Sequence, residues 1–285
     1  DSRQSISGYL FIALSGSKFK AEIFIEHALE KGAKFILTDD PNLEREEIRF
    51  VANLRENLPK IASWFYDDLP NRLIAITGTN GKTSSVDLVR QMLSLQGKKA
   101  ASIGTIGCIY KEEIFAKTDN TSPDIFYFYH LLHKLKKNGA DFLVFEASSH
   151  GIIQKRFSGL KIEVASFTNL TQDHLDYHHN MAEYFAAKSL LFKEEYLEAE
   201  SYAVINNDDK YGRLLAEKIT SQIFTFGKID SENLDLKFEI EQGDKIVVNY
   251  LSEEFSFYSP IRGEFQIYNL ISAISIMLAL GFSMK

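Results

Sequence analysis

A glycine-rich turn between an apolar strand and a helix constrains this chain more than any other feature. Leu73-Ile74-Ala75-Ile76 is a short apolar run, Thr77-Gly78-Thr79-Asn80-Gly81-Lys82-Thr83 follows it, and residues 84–95 carry a helical pattern that stops near Gly97. Such a turn brings several backbone N–H groups and the positive end of a helix to one point, which suits an anion. Lys82 is placed to reach the outer phosphates of a nucleotide, and the Thr83 hydroxyl to bind Mg²⁺. The chemistry is therefore phosphate binding, most simply of ATP. The common P-loop carries a further glycine five residues before the Gly of Gly-Lys-Thr. Ile76 stands there, so the loop is the shorter Gly78-x-x-Gly81-Lys82-Thr83. A chance Gly-Lys-Thr in a surface loop is the alternative, and the strand before and helix after weigh against it.

From Arg72 onward, strands alternate with helices: strands at 73–77, 100–103, 142–145, 164–168 and 202–206, and helices at 84–95, 125–137 and 181–192. This pattern predicts an α/β fold with a mostly parallel sheet and helices on both faces. Ligands on such sheets gather at the carboxyl ends of the strands. Residues 1–70 read as a smaller α/β domain of their own. It has strands at 9–13 and 35–38, a helix at 21–31 stopped by Gly32, and a short helix at 61–66 lying between Pro59 and Pro70. Residues 71–285 form the second expected domain. Between about 222 and 260 the runs 223–226, 236–240, 246–248 and 255–257 alternate polar and apolar residues, with Gly243-Asp244 between two of them. These predict an added region of antiparallel hairpins.

Composition narrows the partners. A net charge of −7 leaves no basic footprint for nucleic acid or an anionic membrane. No apolar run approaches the roughly 20 residues of a membrane span. The single Cys108 forms no internal disulfide, which fits a reducing cytosol. Both ends read as cut, since Asp1 is no initiator and Lys285 follows an apolar helical stretch at 270–280.

Further residues carry chemistry with alternatives open. Glu146 ends an apolar strand near the loop and is placed to hold Mg²⁺ directly or through water, or else is simply solvated. Asp173-His174-Leu175-Asp176-Tyr177-His178 packs two His and two Asp into six residues, which suits a metal or proton-transfer site or a polar turn. Asn120-Thr121-Ser122-Pro123-Asp124 is either a helix cap with Pro in the first turn or a hydrogen-bonding set for a phosphorylated or sugar substrate. Gln154 and Arg156 follow Ser148-Ser149-His150. Arg156 either pairs bidentately with a phosphate or carboxylate or is an exposed Arg. Lys188 is a plain helical lysine that nothing in the composition selects.

Taken in order, these motifs resemble those of the Mur ligase family. The matches are Asp1-Ser2-Arg3 with Gly8-x-Leu10-Phe11, the loop at 77–83, Asn120-Thr121-Ser122-Pro123, Glu146-x-Ser148-Ser149-His150, Phe167-Thr168-Asn169-Leu170, the string at 173–178, Ala187-Lys188-x-x-Leu191-Phe192 and Gly263-x-Phe265-x-x-x-Asn269. The 173–178 string is most similar to the branch that adds the third residue of the cell-wall peptide. The resemblance implies a cytoplasmic, monomeric, ATP-dependent amide ligase of peptidoglycan precursor synthesis. It would join diaminopimelate or lysine to UDP-N-acetylmuramoyl-L-alanyl-D-glutamate through an acyl phosphate.

The same resemblance distributes the residues. It implies ATP on Gly78, Thr79, Asn80, Gly81, Lys82, Thr83 and Ser84, with Asn269 near the adenine. It implies one Mg²⁺ on Thr83 and Glu146, and a second on His174 and on Lys188 as its carbamate. Lys82, Glu146, His174 and Lys188 make up the implied catalytic set. Ser2 is implied at the uridine, near the Ser17-Lys18-Phe19 loop, with Thr121, Ser122, Ser148, Gln154 and Arg156 on the muramoyl dipeptide. The family's acceptor-binding C-terminal domain would follow Lys285, so the chain as given is expected not to complete ligation alone. Lys20-Ala21 and Gln266 depart from the Asp-Gly and Asn usual there. A folylpolyglutamate-type ligase is the nearest alternative, against which Asp1-Ser2-Arg3 and Asn120-Thr121-Ser122-Pro123 speak. A binding-only remnant is the other, against which retention of Lys82, Thr83, Glu146, His174 and Lys188 speaks.

Overall fold

The computed structural model describes residues 8–15, 22–173, 178–231, 233–242 and 244–284. The chain divides into two compact units, the first running to Ala62 and the second from Ser63. In the first, β1 (Leu10–Ala13), β2 (Phe35–Thr38) and β3 (Ile48–Phe50) form a parallel sheet in that order, with α1 (Glu22–Glu30) as the crossover between β1 and β2. Gly32 ends α1 at φ +89°, a value that needs no Cβ, and its N–H bonds the Leu29 carbonyl at 2.8 Å. Ala13, Ile25, Ala28, Ala33, Ile36 and Ile48 make the core. β3, only three residues long, leaves no periodicity for the sequence to display. The helix expected at 61–66 is longer: α2 runs Leu54–Phe65, with Pro59 inside it rather than before it. Pro59 gives no N–H to the preceding turn, and burial of Leu54, Pro59 and Ala62 offsets that loss.

The second unit is built on β4 (Arg72–Thr77), α3 (Lys82–Leu95), β5 (Ala100–Gly104), β6 (Gly107–Tyr110), β7 (Glu113–Ala116), α4 (Ile125–Lys137), β8 (Phe142–Glu146), α5 (Ser149–Ile153), β9 (Ile162–Phe167) and α6 (Met181–Ser189). It continues with β10 (Leu197–Asn206), α7 (Lys210–Ala216), β11 (Gln222–Lys228), β12 (Leu236–Ile240), β13 (Lys245–Tyr250), β14 (Glu253–Tyr258) and α8 (Glu264–Ala279). Among the described residues the strands form one sheet in the order β14-β13-β12-β11-β10-β9-β4-β8-β5-β6-β7. From β12 to β5 every neighbouring pair is parallel, and antiparallel strands finish both ends. This is the expected α/β architecture. Ile74, Ile76, Val144 and Val164 pack one face against Val86 and Val89 of α3 and Ile271 and Ile276 of α8. On the other face Phe145 meets Phe128 of α4 and Phe157, with ring centroids 5.2 and 4.9 Å away. Burial of both faces explains why the central strands read as continuous apolar runs rather than alternating ones.

Three expectations need correction. β11, read as a hairpin strand, runs parallel to both β10 and β12. A parallel neighbour usually needs a long crossover. Here the β11–β12 overlap is only Phe226↔Leu236 to Lys228↔Phe238, so the chain returns a short distance. Second, Pro123 is not in the first turn of α4. Asp124 is the cap, its side chain accepting from the N–H groups of Phe126 and Tyr127 at 3.2 Å each. Third, the helix expected over 181–192 ends at Ser189 and tightens into a 3₁₀ turn, Leu190–Phe192.

The β6–β7 hairpin was not anticipated. Its turn residues, Lys111 and Glu112, sit at φ +53° and +62°. Glu112 is held by Arg90 of α3 at 2.6 Å. Cys108 lies within β6, fully buried, and burial pushes its thiol up to about 12.

Candidate active site

The turn between β4 and α3 sits at the carboxyl end of the central strand. Gly78 takes φ +153° and Gly81, which caps α3, takes φ +85°. A Cβ on Gly78 would fall 1.9 Å from Thr168 Oγ1, and one on Gly81 2.1 Å from Asn269 Oδ1. Both glycines are therefore required by close approach as well as by backbone angle. The segment after β9 laces the turn in place. Thr79 N–H donates to the Asn169 carbonyl at 2.9 Å, Asn80 N–H to Asn169 Oδ1 at 3.0 Å, and Thr168 Oγ1 to the Asn80 carbonyl at 2.8 Å. Thr168 and Asn169 lie in the 167–170 motif, whose residue types alone indicate no role. Their function is to fix the shape of the neighbouring turn. Ser84 follows in the first turn of α3. Asn269, on α8, packs against Gly81 and donates to Gln266 Oε1 at 3.2 Å.

Lys82 folds back over its own loop and donates to the carbonyls of Gly78 at 2.9 Å and Thr79 at 2.8 Å. Burial lowers its proton affinity, partly opposed by the charges of Glu146 and Asp173. Thr83 Oγ1 donates to Glu146 Oε1 at 3.0 Å. Glu146 is buried at the end of β8, and its side chain lies over Gly104, where a Cβ would meet Oε1 at 2.2 Å. Thr105, not foreseen from sequence, donates its backbone N–H to Oε1 at 2.7 Å and its hydroxyl to Oε2 at 3.2 Å. Among the described residues no group of three or more His, Cys, Asp and Glu comes together. A hydroxyl beside one carboxylate nevertheless suits Mg²⁺, a hard ion that takes few protein oxygens and fills its shell with phosphate and water.

Beyond Glu146 the polar residues expected at the precursor converge. Ser122 Oγ donates to the Glu146 carbonyl at 3.0 Å and lies 2.9 Å from Ser148 Oγ. Ser148 caps α5 by accepting from Gly151 N–H at 3.1 Å. Arg156 donates through Nη1 to the Ser122 carbonyl and through Nη2 to Gln154 Oε1 at 2.7 Å. Thr121 Oγ1 lies 3.1 Å from Thr105 Oγ1. Ser2, the 17–19 loop, Lys20-Ala21 and His174 lie outside the described residues.

Lys188 is the residue that sequence alone left anonymous. It is buried on α6, donates to the Gly78 carbonyl at 2.8 Å, and sits 4.6 Å over the Tyr184 ring. The Tyr184 hydroxyl is 3.4 Å from Thr79 Oγ1, and its ring centroid lies 4.8 Å from that of His178, which hydrogen-bonds Ser149 Oγ at 2.9 Å. Lys188 and Lys82 thus share one acceptor, Gly78 O. Burial, and then the charge of Lys82, hold the Lys188 amine well below its ordinary value, with Asp173 opposing. Loss of the proton leaves a neutral amine.

This gives a stability expectation. In CO₂-depleted buffer Lys188→Met should raise the unfolding free energy by on the order of 1 kcal/mol or more, because it removes an amine that must give up its proton on folding. The unfolded lysine holds its proton to about 10.5, whereas the folded one releases it at lower pH. Within that window the unfolded chain binds more protons, so wild-type stability rises with pH. The advantage of Lys188→Met should therefore shrink between pH 7 and pH 10 in urea titrations. A constant gap would mean that Lys188 is an ordinary ammonium.

The Mur ligase middle-domain family model matches residues 76–277. That span takes in the β4–α3 turn, Glu146, Lys188 and Asn269. The chain belongs to the Mur ligase family. Its similar relatives include the UDP-N-acetylmuramoyl-L-alanyl-D-glutamate–2,6-diaminopimelate ligase of Rickettsia bellii (strain RML369-C), 39% identical over 266 residues, covering 88% of this chain and 54% of the relative. The ligase of the same name from Aquifex aeolicus (strain VF5) is 36% identical over 284 residues, covering 99% and 58%. A solved structure of a ligase of that name superposes with TM-score 0.86 at 31% identity, covering 99% of this chain and 59% of that one. This Mur ligase chain thus spans little more than half the length of these relatives. No helix among its described residues is long and apolar enough to cross a membrane.

Proposed function

We propose that this Mur ligase chain is the nucleotide- and precursor-binding part of a cytoplasmic, ATP-dependent ligase that adds diaminopimelate to UDP-N-acetylmuramoyl-L-alanyl-D-glutamate. The observation that carries the reading is the convergence of Lys82, Lys188 and the Thr83–Glu146 pair on one glycine turn. The Ser122–Ser148–Arg156 cluster lies on the far side of Glu146. The relatives' names favour diaminopimelate over lysine as acceptor.

In this reading the N–H groups of residues 81–84, at the start of α3, hold the triphosphate, those of Thr79 and Asn80 stay on Asn169 and keep the turn in shape, and Lys82 leaves its two carbonyls to neutralise the β- and γ-phosphates. Thr83 and Glu146 would hold Mg²⁺, which when bound spreads the charge of the transferring phosphoryl group. Thr121, Ser122, Ser148, Gln154 and Arg156 orient the D-glutamyl end of the precursor. Its carboxylate oxygen bonds the γ-phosphorus as the bond to the β-phosphate oxygen breaks, releasing ADP. The acceptor amine then attacks the acyl carbon, phosphate leaves and the amine loses its proton. Lys188, kept neutral by burial, adds CO₂ through its nitrogen and releases a proton. The anionic carbamate oxygen would then hold a second hard cation with His174.

The test is a product assay with Mg·ATP, the UDP-muramoyl dipeptide and either diaminopimelate or lysine. It would be run on this chain and on the natural full-length gene product. The full-length protein should form the diaminopimelate tripeptide, and this chain should bind the dipeptide precursor without ligating it. Failure of both proteins to bind the precursor would overturn the reading in favour of a folylpolyglutamate-type ligase. Precursor and nucleotide binding without turnover at full length would favour a binding-only protein.

A further inference from the structure

Thr105 stands where the two halves of the site meet, and it belongs to no motif. It follows β5 directly, at the carboxyl end of a parallel strand. Its hydroxyl lies 3.2 Å from Glu146 Oε2 and 3.1 Å from Thr121 Oγ1, while its N–H reaches Glu146 Oε1 at 2.7 Å. Thr83 closes the chain of contacts from the nucleotide side, 3.0 Å from the same Oε1. Four residues from four segments thus run in one line, Thr83–Glu146–Thr105–Thr121. The line is built in. Gly104 leaves space for the Glu146 side chain to lie across β5, and Thr118 Oγ1 fastens the segment that bears Thr121 by donating to the Gly104 carbonyl at 2.8 Å.

We infer that the Thr105 hydroxyl is a positioning residue that couples precursor binding to nucleotide binding; the inference rests on the function proposed above. A hydroxyl has one proton. With Glu146 ionised, Thr105 gives that proton to Oε2 and accepts the proton of Thr121. A cation–nucleotide complex held by Thr83 and Glu146 would draw charge from the carboxylate through Oε1, weaken the bond that Oε2 accepts and so free the Thr105 proton. Thr105 then donates towards Thr121, and the Thr121 proton is free for an acceptor oxygen on the precursor. Each ligand therefore improves the hydrogen bonding available to the other. Linkage makes the effect equal in both directions.

The experiment is calorimetric and needs no turnover. The dissociation constant of the UDP-muramoyl dipeptide is measured with and without saturating Mg²⁺ and a non-hydrolysable ATP analogue. It is measured on this chain, on Thr105→Val, which keeps the shape and the N–H bond to Glu146, and on Thr105→Ser, which keeps the hydroxyl. The analogue should tighten precursor binding by about 5-fold or more in the wild type, the lower range of measured couplings. Thr105→Ser should retain that ratio, and Thr105→Val should bring it to about 1, while its affinity for either ligand alone changes less than about 2-fold. A merely structural role would weaken both affinities and leave the ratio unchanged. The same ratio in Thr105→Val as in the wild type overturns the coupling and leaves the proposed function standing, as does a ratio of 1 in the wild type. No precursor binding to the wild type overturns both.

Discussion

Lys82→Ala is expected to weaken binding of Mg·ATP by about 10- to 100-fold, the effect of losing one or two hydrogen bonds to a charged group. Turnover of the full-length enzyme should fall by a further factor on the order of 10²–10³, as for other donors aimed at charge that develops in the transition state. The loss is not total, because the glycine turn and the N-terminus of α3 remain. The direction follows from the proposed site, in which Lys82 Nζ, now on Gly78 O and Thr79 O, would exchange carbonyl oxygens for phosphate oxygens. The substitution also removes a positive charge that depresses the Lys188 amine, so Lys188 should hold its proton more tightly in the variant. Calorimetry with a non-hydrolysable analogue checks the affinity. A change of less than about 2-fold would remove Lys82 from the phosphate site.

Gly78→Ala should be worse for the fold than for any single ligand contact. The added methyl would collide with Thr168 Oγ1 and crowd the Asn169 backbone N and O at 3.2 Å, in a φ region that L residues rarely enter. Overpacking of this kind costs about 1–3 kcal/mol, and backbone strain adds about 1–3 kcal/mol. Part of the cost is specific to one atom. Thr168→Ala removes that oxygen, so the double variant should recover more stability than the sum of the single effects allows. A melting curve of Gly78→Ala that matches the wild type would show that the turn has room the geometry denies.

The β4–turn–α3 unit was legible because its signals are local: apolar strand, glycines where φ is positive, helix after. The span of α4 was legible for the same reason, with Gly139 at positive φ just beyond its end, although its cap is Asp124, after Pro123 rather than before it. Strand direction was not. Alternation in 223–226 reports which side chains are buried, and parallel and antiparallel neighbours bury them alike, so β11 was read as part of a hairpin. The β6–β7 turn was hidden because Lys111 and Glu112 are poor markers of left-handed backbone. What supports Glu112 there is Arg90, 22 positions away in sequence. The site divides along the same line. Lys82 and Thr83 announce themselves by spacing. Lys188 does not, since a lysine on a helix is ordinarily solvated, and only the fold reveals that this one is sealed against Gly78 and Tyr184. Thr105 is invisible for a simpler reason, because a hydroxyl acquires meaning only from what it touches.

Cys108 has a practical consequence for anyone wishing to watch this protein move. With its thiol pushed up to about 12, on the order of one molecule in 10⁵ carries the reactive thiolate at pH 7, and β6 shields even that one from reagents. As Cys108 is the sole sulfhydryl in the sequence, a cysteine introduced at an exposed position would be the dominant nucleophilic sulfur. A fluorophore or spin label can therefore be attached by a single substitution, leaving the native core untouched.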